Sequence, residues 1–208
     1  MKANNDKELR AYMCDVSTRD DETHGNVLEG IPIRYDVATD IGGMWREIID
    51  RGALDQADLK DVRFLVNHDT DSIPLARSRN NNANSTMQMT VEPDGLHVRV
   101  DLDTEGNPRA KELYSAVKRQ DISGMSFMFT VKGDKWDDLS SDYPTRHITA
   151  LDKVFEVSAV TFPAYEQTSI NARSVESGKA SLDSARKALE SAKEVEELRK
   201  AIIERCKK

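Results

Sequence analysis

Cysteine is scarce in this chain of 208 residues: Cys14 and Cys206 stand near opposite ends. They make neither a CxxC pair nor the ladder of a disulfide-stapled domain, so a reducing compartment is expected. Long apolar runs are missing too. None approaches the roughly 20 residues needed to span a bilayer, and the opening MKANNDKELR lacks the apolar centre of a signal peptide. A soluble, intracellular chain with no membrane partner is the expectation. Lys and Arg total 30 against 37 Asp and Glu, a net charge of −7. That balance argues against a nucleic-acid partner held by phosphate neutralisation. No P-loop, GxGxxG, HExxH or zinc-spaced Cys/His set occurs, so neither a cofactor nor a metal is expected. The G-x-S-x-G elbow of the α/β-hydrolases is absent, and strands do not alternate with long helices, which sets an esterase of that fold aside.

What remains is a chain with 38% hydrophobic and 32% charged residues, long enough for one domain with a polar appendage. Period-two alternation dominates. Residues 8–15 read as a first strand, with Leu9, Ala11 and Met13 on one face, and 17–26 as a polar loop. Residues 27–35 form a second strand in which Pro32 fits an edge or a bulge. Trp45, Ile48 and Ile49 have helical spacing before Gly52 and predict a short helix. The apolar run 62–67 is a strand ending at His68. Residues 86–92 and 96–102, joined by Pro93-Asp94-Gly95, form a hairpin. Asn107 and Pro108 open a helix reaching about Arg119, with Leu113, Tyr114 and Val117 inside. Residues 133–146 are a polar excursion, and strands follow at 147–151 and 154–162. Beyond Ser174 the chain is small and polar, then helical. Leu182, Ala185, Leu189, Ala192, Val195 (or Glu196), Leu198 and Ile202 make a narrow stripe that suits a helix packed on the body or a detachable arm. The fold expected is β-rich α+β: a closed or nearly closed antiparallel β-barrel with peripheral helices and a C-terminal amphipathic helix.

Chemistry concentrates at three places. Residues 121–129, DISGMSFMF, read as a buried strand. Met125, Phe127, Phe129 and Val131 point one way; Ser126, Met128 and Thr130 point the other. His68 is released from the end of an apolar strand, whereas His24 and His97 have no chemical companion in sequence. Glu156 is a carboxylate between Phe155 and Val157, costly to bury without a partner. Each has a plain reading: a strand serine, a surface histidine, a solvent-facing glutamate. Together they supply a nucleophile, a base and an orienting acid, and such triads are set by geometry rather than chain order.

The stretches IIDRGAL (48–54), FLVNHD (64–69), IPLARS (73–78), EPDGLHVRVDLDT (92–104), DISGMSFMF (121–129) and FEVSAVTFPAY (155–165) resemble, in order, the prohead (capsid-maturation) serine proteases of tailed bacteriophages, relatives of the herpesvirus assemblins. The resemblance spans about residues 8 to 172. It implies a catalytic His68, a nucleophile at Ser126 rather than the neighbouring Ser123, and Glu156 as third member. It also implies a serine endopeptidase that cleaves the major capsid protein and scaffold segments, and itself, inside the assembling procapsid in the host bacterial cytoplasm. A homo-oligomer is expected. Residues 1–173 would be the protease domain and 174–208 a linker and helical arm, with self-cleavage near 171–180. Relatives often carry Gly where Ala76 and Met128 stand, so Met128 is placed to shape this chain's cleft. Arg77, Arg79 and Arg146 are oxyanion-hole candidates by neighbourhood alone. The competing reading is a non-catalytic, protease-like scaffolding protein that binds through its C-terminal helix.

Overall fold

Alternating apolar residues build nearly every element of the chain. The structure, a computed structural model, describes residues 7–13, 16–21, 25–161 and 172–206. Eleven strands and two helices occur among them. A four-stranded antiparallel sheet has the order β2 (Ser17–Asp21), β3 (Gly25–Arg34), β9 (Gly95–Leu102), β8 (Met87–Glu92). The predicted hairpin is β8–β9, with Met87 opposite Val100 and Met89 opposite Val98. Gly95, at φ +153°, stands so close to β3 that a Cβ would lie 1.9 Å from the Ile33 carbonyl oxygen, so only glycine fits. The β3–β9 register shifts between Gly30 and Ile33, which brackets Pro32, as a proline without an N–H requires. Residues 17–21, expected in a loop, are the edge strand β2 instead. Backbone pairing to β3 makes little demand on side-chain polarity at an edge.

The second sheet is mixed and has seven strands: β1 (Glu8–Met13), β10 (Gly124–Asp137), β11 (Thr145–Val160), β5 (Trp45–Ile49) and β4 (Thr39–Ile41) in that order. β6 (Asp61–Val66) also joins β11, and carries β7 (Ala76–Arg79) beyond it. β10 and β11 are antiparallel along most of their length. β5 and β6 both run parallel to β11, β5 along residues 145–148 and β6 along 156–159. Between them the loop after β5 closes the gap: the Leu151 N–H donates to the Ala53 carbonyl at 2.8 Å and the Asp58 N–H to the Asp152 carbonyl at 2.7 Å. No closed barrel forms among the described strands, contrary to expectation. One long strand accepts two parallel partners in succession, so the sheet branches where an antiparallel barrel would close.

The helix expected over residues 44–51 is β5. Trp45, Glu47 and Ile49 are its buried positions. A buried glutamate in the alternation disguised a strand as a helix. The same inversion occurs in β1, where Glu8 and Arg10 are buried and Leu9 is half-exposed. The two separate strands expected at 147–151 and 154–162 are one, β11, and the polar 133–137 and 145–146 extend β10 and β11.

The core lies between the sheets, with Met125, Phe127 and Phe129 of β10 packed with Leu28, Ile33, Val98 and Val157. Helix α1 (Pro108–Lys118) begins as predicted, the Asn107 side chain accepting from the Arg109 N–H, and buries Ala110, Leu113, Tyr114 and Val117. Helix α2 (Ala172–Cys206) packs by its first turns on β1 and β10. Ser177, Gly178 and Leu182 are buried, and every residue from Glu190 to Cys206 is exposed. Among the described residues no helix is long and apolar enough to cross a membrane.

Candidate active site

β6 ends at Val66, and the chain leaves it through two consecutive left-handed residues, Asn67 (φ 50°) and His68 (φ 59°). Such backbone is uncommon outside glycine and needs support. The Asn67 N–H donates to the Ala159 carbonyl at 2.9 Å. Its side-chain amide donates to Thr161 Oγ1 at 3.0 Å, and its side-chain oxygen accepts from the Thr161 N–H at 2.9 Å. The His68 N–H donates to Ser158 Oγ at 3.2 Å. The turn thus aims the imidazole at β11.

There His68 Nδ1 lies 2.7 Å from Glu156 Oε1. The carboxylate side chain is 3% exposed and the imidazole 23%. A carboxylate can only accept, so Nδ1 carries the proton and Nε2 is the basic nitrogen. The other oxygen, Oε2, accepts from the Ser158 hydroxyl. His68 and Glu156, distant in sequence, are therefore brought together.

Ser126 belongs to the same face of the sheet. It pairs with Ser158 in the β10–β11 register, and Met128 pairs with Glu156, and residues directly opposite share a face. Its hydroxyl, however, is fully buried and donates to the Arg10 carbonyl of β1 at 2.7 Å. No hydrogen bond joins it to His68 among the described residues. Ser123 is exposed ahead of β10.

Arg10 is itself fixed by a buried quartet. Its guanidinium binds Glu47, through Nε to Oε1 and through Nη2 to Oε2 at 2.8 Å, and Glu8 Oε2 at 2.5 Å. Arg146 Nη1 donates to Glu8 at 2.9 Å and Glu47 at 3.1 Å, and its Nε donates to Asp134 at 2.8 Å. Burial pushes the Glu47 carboxyl up, but Arg10 and then Arg146 outweigh it and hold it down at about 2. Burial likewise opposes the charges on Arg10 and Arg146, and the glutamates more than offset it, raising both. Helix α2 seals this quartet: Ser177 Oγ donates to Glu8 at 3.2 Å and Ser181 Oγ to Asp134 at 2.7 Å. Trp136 Nε1 donates to Ser181 Oγ at 3.0 Å. Arg146 is thus a structural cation. Arg77 forks onto Asp61 at 2.7 and 2.9 Å.

Away from this site, Glu92, Asp94 and His97 offer ligand atoms within 4.8 Å of one another. They sit on the surface at the β8–β9 turn, where acidic groups commonly gather without an ion. His24 and Cys14 lie outside the described residues. Two participants escaped the sequence reading: Ser158 and the Arg10 carbonyl. Ser158 had a signal, being two residues from Glu156 in a strand and hence on its face; a backbone carbonyl has none.

No curated protein matches the sequence. Among solved structures, the bacteriophage T4 capsid assembly protease gp21 superposes with a TM-score of 0.39 at 14% identity, over 75% of this chain and 99% of that one. The family profile of the caudovirus prohead serine proteases matches residues 14–181, from before β2 into the docked part of α2. The chain belongs to the caudovirus prohead serine protease family.

Proposed function

We propose that this protein is a prohead maturation protease, a serine endopeptidase that cleaves capsid and scaffold segments during phage head assembly. The observation that carries the reading is the His68–Glu156 pair at 2.7 Å, on the sheet face that also bears Ser126, in a chain of this family. Ser126 Oγ attacks the scissile carbonyl while His68 Nε2 takes the hydroxyl proton. The imidazolium, stabilised by Glu156, returns that proton to the leaving amine as the C–N bond breaks. Water then hydrolyses the acyl-enzyme by the same base. Ser126 must first release the Arg10 carbonyl, so the arrangement with that bond in place is a resting one.

Residues 172–180 are the first turns of α2, with Ser177 and Gly178 buried. Self-cleavage there therefore requires α2 to lift from the body, since proteases need an accessible, extended chain. The exposed remainder of α2 is the arm available to bind a partner. The test is co-expression with the capsid protein, read by intact mass for the wild type, Ser126→Ala and His68→Ala. Processing stops in both variants if the reading is right; unchanged processing in Ser126→Ala refutes it.

The burial of the Ser126 hydroxyl favours a second reading, a protease-like scaffolding protein without turnover. Labelling of Ser126 by a fluorophosphonate, during assembly with capsid protein, separates the two.

A further inference from the structure

From the hydrogen bonds that converge on it, we infer that Ser158 is the positioning residue of this site: one hydroxyl fixes both the carboxylate and the backbone of the base. This rests on the reading of His68 and Glu156 as the acid–base pair. Ser158 Oγ donates its single proton to Glu156 Oε2 and accepts the His68 N–H at 3.2 Å. Glu156 Oε1 in turn holds His68 Nδ1 at 2.7 Å. The three form a closed ring of contacts: hydroxyl to carboxylate, carboxylate to imidazole, and His68 backbone back to the hydroxyl.

Each link has a reason. A carboxylate with one oxygen on the imidazole and the other free could swing about its terminal torsion, which is broad for Glu. The Ser158 proton removes that freedom. A histidine at φ 59° is held in sparsely populated backbone, and among the described residues its N–H has the Ser158 oxygen as partner. Ser158 is 0% exposed, and it stands opposite Ser126 in the register. Removing the hydroxyl therefore loosens Glu156 and the His68 backbone without altering the Ser126 or His68 side chain.

The test uses the full chain. In a Ser126→Ala background, which prevents self-digestion, the Nδ1 proton of His68 should give a downfield proton resonance. Adding Ser158→Ala should lose that signal to exchange, and Ser158→Thr, which keeps a hydroxyl, should retain it. With Ser126 intact, Ser158→Ala should slow capsid-protein cleavage by about 10-fold or more through kcat, with KM little changed, as misplaced catalytic groups do; Ser158→Thr should recover most of the rate. A resonance that survives in Ser158→Ala overturns the inference, and so does a rate within about twofold of wild type. Loss of the resonance in a chain that never cleaves would leave the positioning role standing and remove the protease reading instead. Should Ser158→Ala fail to fold, hydrogen exchange at the His68 amide of the unaltered chain decides. Protection supports the bond to Ser158, and exchange at the open-chain rate refutes it.

Discussion

Replacing Arg146 by methionine should destabilise the protein severely, through charge imbalance rather than lost packing. The Arg146 side chain is 1% exposed and bonds Asp134 once, Glu47 once and Glu8 twice, at 2.8–3.1 Å. Methionine fills much of the same space with a flexible apolar chain. It leaves Glu8 and Glu47, both buried, facing Arg10 alone, so the quartet goes from neutral to one net negative charge in a dry site. Breaking a buried ion pair in this way costs about 3–5 kcal/mol, against a total of about 5–15 kcal/mol for a folded domain. With a urea slope of roughly 2 kcal/mol per molar, the unfolding midpoint should fall by about 1.5–2.5 M. Adding Glu8→Gln restores neutrality and should recover at least about 1 kcal/mol, a coupling of the size expected for direct neighbours. Urea unfolding followed by far-UV circular dichroism measures both. A single variant within about 1 kcal/mol of wild type, or a double variant whose losses merely add, would show that charge balance does not hold this region together.

Acid should weaken the same region with a definite sign. The folded Glu47 carboxyl lies at about 2, below its ordinary 4.5, so its stabilisation is complete above pH 4.5 and drains away as pH falls toward 2; Glu47→Gln should flatten this part of a urea-stability profile. Gly178→Ala would place a Cβ 2.5 Å from Cζ2 of the wholly buried Trp45. Overpacking of about 1–3 kcal/mol should exceed the ~1 kcal/mol of helix propensity gained, speeding hydrogen exchange in the first turns of α2; slower exchange there would contradict the packing. Asn107→Ala removes the side-chain acceptor of the Arg109 N–H and should cost about 1 kcal/mol, seen as a lower thermal midpoint. Met128→Gly empties the position opposite Glu156 and should let the enzyme accept bulkier residues at the cleavage site, scored on a peptide library.

Much of this was legible in sequence where local rules govern. The β8–β9 hairpin, the Asn107–Pro108 helix start and the disturbance at Pro32 follow from turn chemistry, capping and a missing N–H. Glu156 was conspicuous because an apolar strand has no ordinary use for a carboxylate, and His68 is its partner. Two of the errors share one cause. At Glu8, Arg10 and Glu47 charged side chains occupy inward positions, and a binary apolar pattern cannot represent a charge that is buried because another chain segment neutralises it. The helix wrongly expected around Trp45 and the misread face of β1 both follow from that quartet. The closed barrel failed for a different reason: nothing local announces that β11 will take two parallel partners in turn. The hold of Arg10 on Ser126 was invisible because a main-chain carbonyl leaves no mark on residue identity.

β11 runs from Thr145 to Val160 without a glycine or proline, with Arg146 near one end and Glu156 near the other. Between those two positions β11 carries three residues without a partner in the β10 register, Thr149, Asp152 and Phe155. β10 has one such residue, Lys132, so the slips from Met128 to Asp134, immediately beyond Ser126, fall mostly on β11. A bulge bends the strand that holds the extra residue, so the bends sit in β11, between the charge quartet and Glu156. The unbroken stretch, Gly124–Met128 against Val160–Glu156, is what sets Ser126 opposite Ser158, and the quartet closes the far end of the bent strand.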